Sequence, residues 1–278
     1  MELYDKVAAA AAKLVTTKYS SSFGLATRLF PAVMRGDIYN IYGLVRIADE
    51  IVDTYNGSDA AAQLDALEKE VYAAIERRYS ANLIIHAFQL VANKRGINKS
   101  LIAPFFYSMR LDTKPQYYTP KLYKKYIDGS AEVVGLMCLK VFVSSQAEYD
   151  HLEPGARALG AAFQKVNFLR DLAADQTELQ RYYFPNSTFN KFDDSVKVVV
   201  TADIRRDFAV AQNAIVQLPA VARPAVQAAY EYYERLLTKL ERASANTIKQ
   251  KRVRVHNSVK LGLLAKTVAK SKLRRFNS

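Results

Sequence analysis

Two stretches of this chain are apolar at helical intervals yet each carries a pair of aspartates four residues apart. The first pair is Asp49/Asp53, the second Asp171/Asp175. A four-residue spacing sets both carboxylates of a pair on one face of a helix, with Cβ atoms about 5–6 Å apart. Like charges so placed repel, and their burial is costly unless a partner or a metal ion compensates. A chain like this must therefore fold so that the two acidic faces meet a cation or stay in water. The first option predicts two walls that oppose each other across a cavity.

The rest of the sequence favours an all-α domain. Half of the 278 residues are hydrophobic, and only 10 Gly and 8 Pro interrupt the long Ala/Leu/Val/Ile/Tyr runs. Helices are expected over about 3–17, 31–54, 60–79, 80–94, 98–110, 119–128, 130–147, 153–178, 202–217, 219–242 and 244–270. Residues 191–200 are the least patterned. No repeat or composition shift divides the chain, so 1–278 reads as one domain. No apolar run reaches the roughly 18–20 residues that cross a bilayer, and the amino terminus lacks the layout of a signal peptide. One cysteine, Cys138, excludes an intrachain disulfide and reads as a small core residue. Together these point to a soluble cytoplasmic protein, expected as a monomer or weak dimer.

Charge is concentrated at one end. From Arg235 onward 13 Lys/Arg stand against a single acid, Glu241, so this segment carries +12 of the net +13. Apolar residues recur within it at helical intervals, from Val253 to Val268. An amphipathic basic helix over about 244–270 follows, suited to nucleic acid, an anionic membrane or a phosphorylated ligand.

In the first acidic helix Tyr42, Arg46, Asp49 and Asp53 lie within a sector of roughly 60°, at about 100° per residue. Apolar Ile38, Ile41, Val45 and Val52 flank it. In the second, Gln164, Asn167, Asp171 and Asp175 share a side, while Phe163, Val166, Leu169 and Leu172 spread over the others. A helix apolar on several sides is buried. Asn and Asp supply hard oxygen ligands suited to Mg²⁺, and Arg170 adds a guanidinium of the kind that grips phosphate. Other chemistries lack their residues. Only one Glu-x-x-His occurs (Glu148/His151) where a di-iron bundle needs two. There is no Gly-x-Gly for a dinucleotide or phosphate loop, and three scattered His with one Cys do not make a zinc site.

At this point the chain resembles the phytoene/squalene synthases, head-to-head condensing enzymes of isoprenyl diphosphates. The resemblance begins at YSSSF (19–23), like the family's S-x-S-F segment. It runs through IYGLVRIADEIVD (41–53), like Y-x-x-x-R-x-x-D-(D/E)-x-x-D, and GSAEVVGLM (129–137), like a cavity-lining segment. QKVNFLRDLAAD (164–175) is similar to Q-x-x-N-x-x-R-D-x-x-x-D, and RYYFP (181–185) and KRVRV (251–255) complete the order. The resemblance implies an all-α isoprenoid-synthase helical bundle around a central cavity. It implies Mg²⁺, with Mn²⁺ as a substitute, held by Asp49 and Asp53 on one wall and Asn167, Asp171 and Asp175 on the other. Ser20, Ser22, Tyr42, Arg46, Gln164 and Arg170 match positions that bind diphosphate or the prenyl chain, and Tyr183, Tyr232 and Arg252 match a further set. Phe23, Tyr42 and a Val133/Val134/Met137 wall are the expected apolar lining.

Three positions depart from the family pattern. Ala174 replaces a common Glu, one extra residue separates Asp175 from Tyr183, and Asp128 stands where many relatives carry an aromatic residue. The implied activity is phytoene synthesis from two geranylgeranyl diphosphates, with NADPH not expected. Squalene or dehydrosqualene synthesis from farnesyl diphosphate is the alternative. The basic segment is expected to serve partly in diphosphate recognition, through Arg252, and partly in attraction to an anionic membrane at its inner face, with no nucleic acid bound. A non-catalytic nucleic-acid or membrane-binding helical protein is the competing class.

Overall fold

A computed structural model describes residues 1–19, 26–55 and 57–254. Among these residues the chain forms helices and no strands. They are α1 (Glu2–Tyr19), α2 (Ala32–Asp53), α3 (Ala60–Arg77), α4 (Leu83–Arg95), α5 (Lys99–Leu111) and α6 (Pro120–Ile127). A π turn (Asp128–Glu132) leads into α7 (Val133–Phe142), followed by α8 (Gln146–Glu178), α9 (Asp194–Ile215), α10 (Arg223–Arg242) and α11 (Ala245–Gln250).

Local chemistry accounts for most ends. Asn82 accepts from the Ile84 and Ile85 amides at the start of α4, and Gly96 (φ 67°) closes that helix in the left-handed region. Thr119 caps α6 with Pro120 in its first turn. Two starts differ from expectation because a cap outweighs a weaker signal. α8 begins at Gln146 rather than near 153, since Ser145 accepts from the Glu148 amide at 3.2 Å. Pro154 then sits inside the helix on its exposed side, where the Asp150 carbonyl, deprived of its usual donor, can meet water. α9 begins at Asp194 rather than near 202, because Asp193 accepts from the Val196 amide at 2.9 Å. That cap precedes a β-branched Val198–Val200 run with poor intrinsic helix preference.

The expected 130–147 helix is shorter, at Val133–Phe142, and is preceded by the π turn. The expected long basic helix is also corrected. α11 ends at Gln250, Lys251 is extended, and Lys251 to Arg254 are not helical. The alternation Lys251-Arg252-Val253-Arg254 has a period of two, which suits extended chain better than helix. The rest of that segment, from 255, lies outside the described residues.

α8 is the central element, packed on α9, α7, the π turn and α10. α2 packs on α1, α4 and α7. α7 thus bridges α2 and α8, and a cavity of about 720 Å³ lies between those two helices. Close approach on the α7 side depends on glycine. A Cβ on Gly160 of α8 would fall 2.5 Å from the Ala131 carbonyl oxygen of the π turn, and one on Gly135 of α7 would fall 2.8 Å from that of Ala156.

Candidate active site

The cavity has a polar end and an apolar end. α2 contributes Tyr42, Arg46, Asp49 and Asp53, and α8 contributes Gln164, Asn167, Arg170, Asp171 and Asp175. Tyr183, Tyr232 and Arg252 also line it. Each of these described polar residues of the two aspartate motifs, with Tyr183, Tyr232 and Arg252, therefore faces one cavity. Ser20, Ser22 and Phe23 lie outside the described residues. Phe30, Leu139, Phe142, Leu152, Leu159 and Leu218 supply apolar wall.

The expected lining of α7 is corrected in phase. Val134, Gly135 and Cys138 face the cavity, whereas Val133 and Met137, each 1% exposed, belong to the packed core. Residues 134 and 138 are one helical turn apart, and 133 and 137 sit about 100° round the helix. Burial pushes the Cys138 thiol up to about 12, so it stays protonated. Asp128 does not line the cavity: its carboxylate accepts from Arg157 Nη1 at 2.6 Å.

The four motif aspartates have divided environments. Asp53 accepts from Arg181 Nη1 at 2.8 Å. Asp171 is held by its neighbour Arg170, whose Nε donates at 3.0 Å, and by Arg252 Nε at 2.7 Å. Among the described residues Asp49 pairs only with Arg46 Nη1, at 3.6 Å, while that guanidinium is paired through Nη2 with Glu50. Asp175 forms no ion pair among the described residues. Burial, then the Asp53 carboxylate, pushes Asp49 up to about 7. Burial, then Asp171, pushes Asp175 up to about 7, with further contributions from Asp53 and Asp112. The carboxylates of the two walls thus sense each other across the gap.

Sequence reasoning missed several members of this end. Asp112, just past α5, is buried and pushed up to about 6, chiefly by burial. The hydroxyls of Tyr126 (2.5 Å) and Tyr183 (3.2 Å) donate to it. Tyr233, stacked on Phe163 with ring centroids 4.0 Å apart, donates to Asn167 Oδ1 at 3.2 Å. Arg46 lies over the Tyr19 ring at 4.5 Å. Tyr183 is expected here from RYYFP, but a lone Asp at a helix end and single tyrosines such as Tyr126 and Tyr233 among 18 carry no sequence pattern; only proximity in space singles them out.

α2, α5 and α8 all end here, at Asp53, Leu111 and Glu178. Helix C-termini carry partial negative charge, which adds to that of the carboxylates. Asp49 and Asp175, both raised by burial and then by acidic neighbours, mark a deficit of positive charge that a divalent cation would fill. The oxygen donors Asp49, Asp53, Asn167, Asp171 and Asp175 suit a hard ion such as Mg²⁺. Among the described residues no three His, Cys, Asp or Glu side chains converge as a metal-binding group. Arg46 Nε is buried with no acceptor among the described residues.

With this geometry in view, comparison with known proteins places the chain. The squalene/phytoene synthase family model matches residues 16–258, and the chain belongs to that family. It is similar to phytoene synthase 1 of Solanum lycopersicum, at 25% identity over 277 residues, covering 92% of this chain and 66% of that protein. A presqualene diphosphate synthase of Sinorhizobium fredii is 30% identical over 193 residues, 66% of this chain and 64% of its own. A 4,4'-diapophytoene synthase of Staphylococcus haemolyticus is 26% identical over 196 residues, 68% of this chain and 65% of its own. The chain spans about two thirds of the length of these curated relatives. In fold it resembles a dehydrosqualene synthase crystallised with a ligand, with TM-score 0.81, 20% identity and 98% of each chain covered.

Proposed function

We propose that this protein is a Mg²⁺-dependent prenyltransferase that joins two geranylgeranyl diphosphates head to head to form phytoene. The observation that carries the reading is the pair of opposed aspartate walls, α2 and α8, at one end of a cavity whose other end is apolar. Similarity to phytoene synthases along most of the chain supports the choice of substrate.

In this reading Asp49, Asp53, Asn167, Asp171 and Asp175 hold the cations. Bound Mg²⁺ supplies charge neutralisation for the departing diphosphate without needing a proton. Arg46, Arg170 and Arg252, which line the cavity, add fixed donors for the phosphate oxygens. Gln164 and Tyr232 sit beside them. Breaking the first C–O bond releases one diphosphate; bonding to the second substrate, with loss of a proton, gives a cyclopropylcarbinyl diphosphate. Breaking the second C–O bond releases the other diphosphate, and rearrangement with loss of a proton gives the hydrocarbon. The apolar walls keep water from the carbocations, and the rings of Tyr42 and the Phe163/Tyr233 stack offer π faces to positive charge. The protonated Cys138 thiol presents no thiolate to trap them.

A second reading uses farnesyl diphosphate in the same chemistry. The 26% and 30% identities to the diapophytoene and presqualene diphosphate synthases favour it. Incubation with geranylgeranyl or farnesyl diphosphate, with and without Mg²⁺ and NADPH, followed by product chromatography, distinguishes the two. Asp53→Asn is expected to lower Mg²⁺-dependent diphosphate release at least ~100-fold. Hydrocarbon from neither substrate would sink the catalytic reading.

We also propose that the protein works at the inner face of a membrane. Outside the basic segment, α1 supports this: Leu3 (77%), Val7 (46%) and Leu14 (58%) are exposed, lie on the side opposite the buried Ala8, Ala12 and Thr16, and are flanked by Lys6, Lys13 and Lys18.

A further inference from the structure

Among the described residues Arg181 is the one buried arginine, and the aspartate motifs assign it no role. Its side chain is 9% exposed. Nη1 donates to Asp53 Oδ1 at 2.8 Å; Nη2 donates to the Val52 carbonyl at 2.6 Å and the Asp112 carbonyl at 2.8 Å. Its amide N–H donates to the Asp175 carbonyl at 2.8 Å. Gln180, at φ 54°, turns the chain back to allow this. One residue therefore ties together the C-terminal ends of α2, α5 and α8, where helix dipoles and carboxylates concentrate negative charge.

We propose that Arg181 is the resident counter-cation of this end of the cavity: it holds Asp53 while no divalent ion is bound and yields Asp53 to the ion when one arrives. The inference rests on the cation-dependent reading above. The geometry separates two tasks. The carbonyl bonds through Nη2 anchor the guanidinium to α2 and α5 without using a carboxylate. The Nη1 bond to Asp53 is the part that can be given up, and its loss leaves Arg181 still fastened. A free metal-ligating carboxylate on α2 is then available at the moment of loading, and in the metal-free protein the two walls are kept from repelling each other apart. Arg181 acts through Asp53 and is in this sense a positioning residue. Lysine cannot replace it fully, because an ammonium lacks the planar fork that serves two carbonyls and a carboxylate together.

The test is thermal unfolding of the full chain, in chelator and in Mg²⁺ with inorganic diphosphate, for wild type, Arg181→Met and Arg181→Lys. Calorimetric titration of Mg²⁺ into each accompanies it. Exchange predicts that Arg181→Met lowers Tm most in chelator, so that its Mg²⁺-induced rise exceeds that of wild type by about 2–4 °C or more. It also predicts that Arg181→Met binds Mg²⁺ several-fold more tightly, because a competing cation is gone. Arg181→Lys, which keeps the charge, should fall between the two and carries the test if Arg181→Met does not fold. An equal loss of Tm with and without Mg²⁺ in the variants overturns the exchange and leaves the synthase reading standing. A wild type whose Tm does not respond to Mg²⁺ overturns both.

Discussion

At the scale of single side chains, each wall of the cavity presents one aspartate clamped by arginine and one raised toward neutrality. Asp53 and Asp171 have their guanidinium partners; Asp49 and Asp175, both pushed up to about 7, bind a proton more tightly in the fold than in the unfolded chain, where an aspartate titrates near ~3.9. Between these values the native state holds more protons than the unfolded state, so stability falls as pH rises through that window. The metal-free protein should therefore lose Tm as pH climbs from about 5.5 to about 7.5. Mg²⁺ should remove or reverse that slope, because it binds the ionised pair and displaces its protons. Differential scanning calorimetry across this interval, with and without Mg²⁺, reads both; a metal-free Tm that rises instead would contradict the assignment.

At the scale of elements, α2 and α8 carry the chemistry, and α7 sets the distance between them. That distance depends on side chains that are absent. Gly160→Ala would drive a methyl to 2.5 Å from the Ala131 carbonyl oxygen, where backbone rather than a flexible side chain must give way. The expected cost is about 1–3 kcal/mol, measured as a lower urea midpoint, with displacement of the π turn from α8. Gly36→Ala is the control, because nothing lies within 4 Å of a Cβ there. It lies within α2, so it should stabilise by about 0.5–1 kcal/mol through helix propensity alone. The same contacts explain why the α7 lining was misjudged from sequence. Periodicity shows which residues share a face, but the rotation of the face is fixed by the π turn and by backbone packing at Gly135 and Gly160.

At the scale of the whole molecule, negative and positive charge concentrate in different places. The acidic end of the cavity lies between α2 and α8, while positive charge collects toward the carboxyl terminus of the sequence and beside the exposed apolar residues of α1. Binding to anionic vesicles, much weaker to neutral ones, is the expected result in a sedimentation assay. Binding should fall at ~1 M salt, where the screening length shrinks to about 3 Å, and Lys6→Glu/Lys13→Glu should weaken it. No preference for anionic lipid would remove the membrane proposal. No described helix is long and apolar enough to cross a bilayer.

By itself, the sequence determined the local and periodic properties of this protein: helices, their apolar faces, and the pairing of Asp49 with Asp53 and Asp171 with Asp175. These follow from spacing within a single element, which backbone geometry converts directly into a shared face. Tertiary structure alone decided that the two faces meet, that Asp112 joins them, and that Arg181, 128 residues from Asp53 in the chain, holds them. Such contacts leave no periodic trace, because they depend on where three helices end in space. The energetics of the site, carboxylates raised by burial and by each other, also arise only when the walls are brought together.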